Sequence, residues 1–276
     1  MRFKRIYIEI TNICNLSCSF CPKLNRPPKE MDINEFERVI SEIRPLTDYV
    51  YLHIKGEPLA HSKFDNVLTI CDRENLMVNI TTNGTLINNN IETLKKHKCI
   101  RQLNISLHSM ENPIKAQEYV DNIINATKIL KNHFMISYRI WTYDNNNSCN
   151  KYIIDRIEKE FNIKVDLSLN RFKIENNLYF SVGNTFQWPS PTLPVNSEKG
   201  FCLGGRNQLG ILSDGTVVPC CLDSEGDINL GNIFIENIEN ILENSRFKAF
   251  YDGFSNGKAV ENLCLHCTFR DRFIKS

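Results

Sequence analysis

No stretch of the chain is apolar for long enough to span a bilayer. The opening MRFKRIYIEITNIC interrupts its apolar residues with charge, so neither a membrane helix nor a signal peptide is expected, and the compartment reads as cytoplasmic. An excess of charge is also missing: 33 basic and 32 acidic side chains leave a formal charge of +1. That balance argues against nucleic acid as a partner. Glycine supplies 12 of the 276 residues and proline 10, too few for a collagen-like chain, and 42% hydrophobic content is too high for a disordered one. What remains is a globular protein with enough apolar side chain for a full core. Its length suits one barrel-sized domain, with or without a small appendage.

Cysteine is the residue in surplus. Eleven in 276 residues is about 4%, richer than usual yet below the density of a disulfide scaffold. In a reducing compartment they read as metal ligands, catalytic thiols or buried hydrophobes. Cys71, Cys99 and Cys149 stand alone beside expected helices and read as buried. The others gather toward the two ends, at Cys14, Cys18 and Cys21 and then at Cys202, Cys220, Cys221, Cys264 and Cys267.

Between residues 5 and 170 short β-rich runs alternate with stretches of helical spacing, which predicts consecutive βα units. Strands are expected over 6–13, 49–55, 77–82, 102–107, 134–142 and 164–169. Helices are expected after the Asp32 cap and near 63–74, 90–98, 115–132 and 150–160. Along the strands one parity is aliphatic: Ile6, Ile8 and Ile10; Leu52 and Ile54; Val78 and Ile80; Leu103, Ile105 and Leu107. The other is polar or aromatic, running through Tyr7 and Glu9, His53 and Lys55, Asn79 and Thr81, Asn104 and Ser106, and Arg139 and Trp141. A parallel sheet with helices on both faces is apolar on both parities. A polar face on five strands therefore predicts an α/β fold, a partial (β/α)6 TIM-like barrel whose interior holds a polar ligand. After residue 170 the pattern fades into a connecting segment over 171–201, and a small four-cysteine unit is expected over 202–276.

Cys14-x3-Cys18-x2-Cys21 directly follows the first strand. Three thiolates on a four-iron cube leave one iron open to another ligand. Gly56-Glu57-Pro58 ends the second strand, Thr81-Thr82-Asn83-Gly84 the third and Ile105-Ser106-Leu107-His108 the fourth. Each tripeptide is weak evidence alone, but their order at successive strand ends is strong. Together, with Phe20 before the third cysteine and Arg139 on the fifth strand, they resemble the radical S-adenosylmethionine (SAM) superfamily.

That resemblance implies a [4Fe-4S] cluster on Cys14, Cys18 and Cys21, with SAM bound on its open iron. It implies that Gly56, Glu57 and Pro58 receive the methionine amine. Ser106 and Arg139 would hold the ribose or carboxylate, and Asn83 would support the methionine or ribose end. Reductive cleavage of SAM would give a 5'-deoxyadenosyl radical that takes hydrogen from a small-molecule substrate, with flavodoxin or ferredoxin as the type of reductant. Two departures stand out: Lys55 replaces the first Gly of the family's Gly-Gly-Glu-Pro element, and His108 stands where many relatives have Asp. The inward Tyr7, Glu9, His53, Lys55, Asn79, Asn104, His108 and Trp141 are the substrate candidates, because buried polar groups need partners that a ligand can supply.

In the C-terminal unit, Cys202, Cys220, Cys264 and Cys267 are the expected ligands of an auxiliary [4Fe-4S] cluster or a zinc ion, with Cys221 an alternative to Cys220. The arrangement resembles the SPASM/twitch group, whose members include an amino-sugar dehydrogenase and enzymes acting on ribosomal peptides. The compact chain, single auxiliary site and Asn-, Lys- and Ile-rich composition also resemble the queuine lyases of queuosine salvage. That likeness implies release of 7-aminomethyl-7-deazaguanine (preQ1). The alternative from another class is a non-catalytic zinc-binding protein.

Overall fold

The computed structural model describes residues 2–141, 148–183 and 186–273. Thr142, the expected end of the fifth strand, lies outside them, as do residues 184–185 of the connecting segment and 274–276 of the C-terminal unit. β1 (Arg5–Ile8) leads through a long loop to α1 (Ile33–Ile43). Asp32 caps this helix as the sequence predicts. Its carboxylate accepts from the N–H groups of Asn34 and Glu35, and Glu35 reaches back to the Asp32 N–H, a reciprocal capping box. The helix buries Phe36, Val39, Ile40 and Ile43, the i, i+3, i+4, i+7 stripe that its spacing dictates.

The units repeat through β2 (Tyr49–Tyr51), α2 (Phe64–Arg73), β3 (Met77–Thr82), α3 (Ile91–Lys96), β4 (Ile100–Ser106), α4 (Ala116–Leu130), β5 (Met135–Ile140) and α5 (Ser148–Phe161). β1 to β5 lie side by side and parallel. Ile6, Ile8, Val50, Val78, Ile80, Leu103 and Ile105 are fully buried in one core with the apolar stripes of the helices. Each such side chain contributes roughly 1.5–3 kcal/mol. Among the described residues no helix is long and apolar enough to cross a membrane.

Beyond residue 161 the sheet departs from expectation. The run 164–169 is not a strand. Asp166 accepts from both the N–H and the hydroxyl of Ser168, and this local turn prevails over the alternation. The chain instead forms the hairpin β6 (Arg171–Glu175) and β7 (Leu178–Val182), and β7 pairs parallel with β5 as the sixth barrel strand. The boundary expected at residue 170 therefore cuts ahead of the strand that completes the six units.

A second correction concerns the C-terminal unit. β8 (Gln208–Ile211) runs parallel to the other edge of β1, and β9 (Val217–Val218) turns back antiparallel to it. The result is one nine-stranded sheet in the order β6-β7-β5-β4-β3-β2-β1-β8-β9. It curves around a polar interior without closing. Three helices, α6 (Ile238–Glu243), α7 (Ser245–Ser255) and α8 (Asn262–Leu265), complete the unit. Arg38 and Glu42 of α1 bond to Ile233 and Ile238, fastening the unit to the barrel.

Candidate functional site

The loops at the strand ends enclose a cavity with about 970 Å³ of space, mouth included. Its wall brings together Cys14, Cys18, Phe20 and Cys21 with Gly56, Glu57, Asn83, Ser106 and Arg139. The cysteine loop is tied down at several points. Asn12 bonds to the Pro27 carbonyl and the Lys29 N–H, Cys21 N–H donates to the Cys18 carbonyl at 3.1 Å, and Glu111 holds both the N–H and hydroxyl of Ser19. Asn83 donates to Asn15 at 2.9 Å and approaches the Cys14 sulfur at 3.8 Å. Desolvation pushes the Cys14 thiol up and the Cys18 thiol to about 11. Three thiols on one short loop facing the cavity are a donor set suited to three irons of a cluster.

Gly56 turns at φ +76°, and a Cβ there would sit 2.2 Å from the Thr11 carbonyl oxygen. Only glycine fits, and the close approach lets the Glu57 N–H bond to the Ile13 carbonyl at 3.0 Å. The Glu57 carboxylate is buried and accepts from Thr82 Oγ1 at 2.6 Å, Asn83 N at 2.7 Å and Leu59 N at 3.1 Å. Burial raises its pKa against these three hydrogen bonds. A buried carboxylate fixed this firmly is suited to a ligand ammonium. Pro58 stands behind it, starting the single 3-10 turn that Glu57 caps.

The Lys55 departure costs no backbone strain, since Gly56 and not Lys55 carries the positive φ. The Lys55 ammonium lies 2.8 Å from the Cys21 sulfur and 2.7 Å from the Pro22 carbonyl, with the Trp188 ring 5.1 Å away. It serves the cysteine loop rather than a substrate. Glu9 also departs from its expected place. Its carboxylate is fully buried against Arg26 at 2.7 Å, the Lys55 N–H and Ser213, and it lines neither barrel chamber. Both residues lie beyond the last paired residue of their strands, Ile8 and Tyr51, where alternation no longer fixes the face. Ile54 shows the same effect: it packs inward with Tyr7, Leu212 and Val218.

His53, His108 and Trp141 do line the cavity. The His108 and Trp141 rings are nearly parallel at 11°, 5.9 Å apart, and Phe20 tilts onto His108 at 4.9 Å. Burial lowers His53 to about 3 and His108 to about 4, with the Arg139 cation adding to both. Both imidazoles are neutral at pH 7. His108 Nδ1 lies 3.1 Å from the Arg139 carbonyl oxygen, and a proton donated there leaves Nε2 as an acceptor. Arg139, whose pKa burial lowers to about 10, stacks over Trp141 at 4.2 Å. Tyr7, Asn79 and Asn104 line a second, adjoining chamber that shares His53, Arg139 and Trp141 with the first. Asn104 is engaged with Gln102 and the Ile80 carbonyl.

Cys202, Cys220, Cys264 and Cys267 line one apolar pocket of about 450 Å³, walled by side chains including Leu222, Phe250 and Phe269. Cys221 points away from it into the barrel chambers. Adjacent side chains diverge here, so the structure separates two cysteines that spacing left as alternatives. Burial raises all four, and neighbouring thiols add to the rise at Cys202, Cys220 and Cys264. Among the described residues no three His, Cys, Asp or Glu side chains converge closely enough to hold a single metal ion.

Residues 8–157, more than half the chain, match the family model of the radical SAM superfamily. The chain belongs to this superfamily. Residues 202–268 match the SPASM model, an iron–sulfur cluster-binding domain, which takes the iron–sulfur side of the alternative left open above. As a radical SAM enzyme the protein uses a [4Fe-4S] cluster and SAM. It is 24% identical to a tungsten-containing aldehyde ferredoxin oxidoreductase cofactor-modifying protein of Pyrococcus furiosus, over 99% of this chain and 90% of that one. It is 26% identical to a probable GTP 3',8-cyclase of Methanocella arvoryzae, over 87% and 89%. Among solved structures it resembles BtrN in complex with AdoMet and 2-DOIA, at TM-score 0.64 and 19% identity, with 97% and 94% of the chains covered. SuiB of Streptococcus suis bound to S-adenosylmethionine shares the radical SAM fold at TM-score 0.61 and 18% identity, over all of this chain and 75% of that one.

Sequence reasoning missed the parts played by Arg26, Thr82, Cys221, Phe186 and Trp188. Thr82 stood inside the quoted Thr-Thr-Asn-Gly run. Phe186 and Trp188 stood in the connecting segment over 171–201, which carried no signal of the wall it forms.

Proposed function

We propose that this radical SAM enzyme acts on a small planar heterocycle, and specifically that it cleaves queuine to release 7-aminomethyl-7-deazaguanine. The observation that carries this reading is the aromatic wall of the SAM-side cavity. The parallel His108 and Trp141 rings, with Phe20, His53 and Arg139 around them, suit a flat ring rich in hydrogen-bonding edges. Neutral imidazoles offer such a ring both an acceptor and a donor without adding charge. The relatives named GTP 3',8-cyclase act, by that name, on a guanine nucleotide, the same heterocycle class as a deazaguanine.

In this reading Cys14, Cys18 and Cys21 hold the cluster, and Glu57 at the Gly56-Pro58 turn takes the SAM ammonium. Arg139 and Ser106 take its carboxylate or ribose, while Asn83 supports the methionine or ribose end. Cys202, Cys220, Cys264 and Cys267 hold the auxiliary cluster. When bound, SAM and the cluster supply a 5'-deoxyadenosyl radical once a flavodoxin- or ferredoxin-type reductant delivers an electron. The chain's own contribution is to orient the substrate and keep water out.

The test is anaerobic turnover of the reconstituted enzyme with SAM and dithionite, offered queuine, an amino-sugar alcohol or a peptide pool, with products followed by mass spectrometry. Queuine is expected to yield 7-aminomethyl-7-deazaguanine together with 5'-deoxyadenosine. Conversion of queuine no faster than the no-enzyme control would overturn the queuine assignment, and turnover of the amino sugar or a peptide instead would replace it. Cys14→Ala, Cys18→Ala and Cys21→Ala are each expected to abolish 5'-deoxyadenosine formation with the far-UV circular dichroism unchanged.

A further inference from the structure

The second barrel chamber, with about 1120 Å³ of space including its mouth, has a charge character unlike the first. Among the described residues its wall carries Arg5, Arg101, Arg139 and Arg171 and no Asp or Glu. Arg139 also borders the SAM-side cavity, but the other three do not. Their recorded neighbours are uncharged. Arg101 donates to Asn79 Oδ1 at 3.1 Å and faces the Tyr49 ring, Arg171 lies over Tyr179 at 4.1 Å, and Arg5 bonds to Tyr7. Four guanidinium groups around one cavity repel one another; solvent screens the exposed Arg5 and Arg171, but among the described residues the wall holds no carboxylate to offset the charge.

Asn79 gives an independent indication. The residue is 1% exposed and lines this chamber, Arg101 occupies its oxygen, and its Nδ2 has no partner among the described residues. A buried donor left in that state costs roughly 1–3 kcal/mol unless an acceptor arrives. The wall thus presents cations and a surplus of donors, with an acceptor-rich anion missing from the set.

We propose that this chamber is an oxyanion site in which Arg5, Arg101, Arg171 and Asn79 bind a phosphate or carboxylate group. The inference goes beyond the queuine reading and does not depend on it, because the site is tested by binding without turnover. The group is either a free ion or the anionic end of a ligand whose ring occupies the neighbouring cavity. Both share the same recognition: charge-assisted bonds from guanidinium groups and one buried amide donor.

The experiment is calorimetric titration of the anaerobically reconstituted enzyme with inorganic phosphate, malonate, guanine and guanosine 5'-monophosphate. Saturable binding of phosphate or malonate is expected, weakening with added salt, about tenfold or more in Arg101→Gln, where one charge-assisted bond is lost, and further in Arg5→Gln/Arg171→Gln, where two are. SAM affinity should be unchanged in both variants, which shows that they are folded. Guanosine 5'-monophosphate binding more tightly than phosphate and guanine separately, in an Arg101-dependent way, identifies an anion attached to the ring. Phosphate binding that leaves guanine affinity unchanged, with guanosine 5'-monophosphate binding no tighter than phosphate, identifies a free ion. Absence of saturable anion binding, or affinities equal in wild type and both variants, would overturn the proposal, whatever queuine turnover shows.

Discussion

At the scale of single residues, the charge next to the cysteine loop would tune a cluster held there. Lys55 places its ammonium 2.8 Å from the Cys21 sulfur, a contact that favours the more negative, reduced cluster. Lys55→Met is expected to lower the cluster's reduction potential by on the order of 50 mV, a fraction of what a charged hydrogen bond is worth, as read by anaerobic redox titration. The two buried imidazoles make a pH prediction. His53 and His108 are held at about 3 and about 4, below the ordinary value of 6.5, so the unfolded chain binds more protons than the folded one in the interval between. Their neutral burial is compatible with full stability above pH 6.5, and stability falls as pH drops toward 4. At pH 5 the loss is roughly 2 kcal/mol per ring. Urea midpoints measured from pH 7 to pH 5 should fall steeply in the wild type and less steeply in His53→Asn and His108→Asn.

At the scale of elements, the strand-end turn matters more than the strands. Gly56→Ala forces a Cβ against the Thr11 carbonyl in a left-handed conformation, and its cost should be on the order of 3 kcal/mol. A thermal scan showing a lowered midpoint, with SAM affinity reduced as Glu57 shifts, checks this. The same elements mark what could be read in advance. The polar parity of β1 to β5 was legible because paired strands enforce a period of two, and the Asp32 cap was legible because a capping box is a local pattern. Glu9, Ile54 and Lys55 were misassigned because that period ends with the pairing. The sixth strand was misplaced because the Asp166–Ser168 turn, a side-chain effect, overrode alternation. The choice between Cys220 and Cys221 depended on how a loop folds back, which the cysteine spacing alone left open.

At the scale of the whole molecule, Arg26 joins three parts. It pairs with the fully buried Glu9 below the barrel's first strand, sits at the end of the cysteine loop, and donates to the Ser224 carbonyl of the C-terminal unit at 2.8 Å. Glu225 adds a bond to the Asn25 N–H. Arg26→Ala leaves a buried carboxylate unpaired, and a loss of roughly 3–5 kcal/mol is expected by chemical denaturation. Because the arginine spans both units, the radical-cluster loop should loosen with it, visible as iron released more readily to a chelator. Arg26→Ala with wild-type stability and iron retention would contradict this linkage.

The parallel pairing of β1 with β8 has a consequence for how the protein is made. One edge of the strand that launches the cysteine loop is completed by residues about two hundred positions later. Until those residues leave the ribosome, that edge offers unpaired backbone groups, and the loop beside it lacks the Ser224 and Glu225 contacts. Contacts between such distant positions form late. The cysteine loop therefore reaches its final shape only after the C-terminal unit has been synthesised.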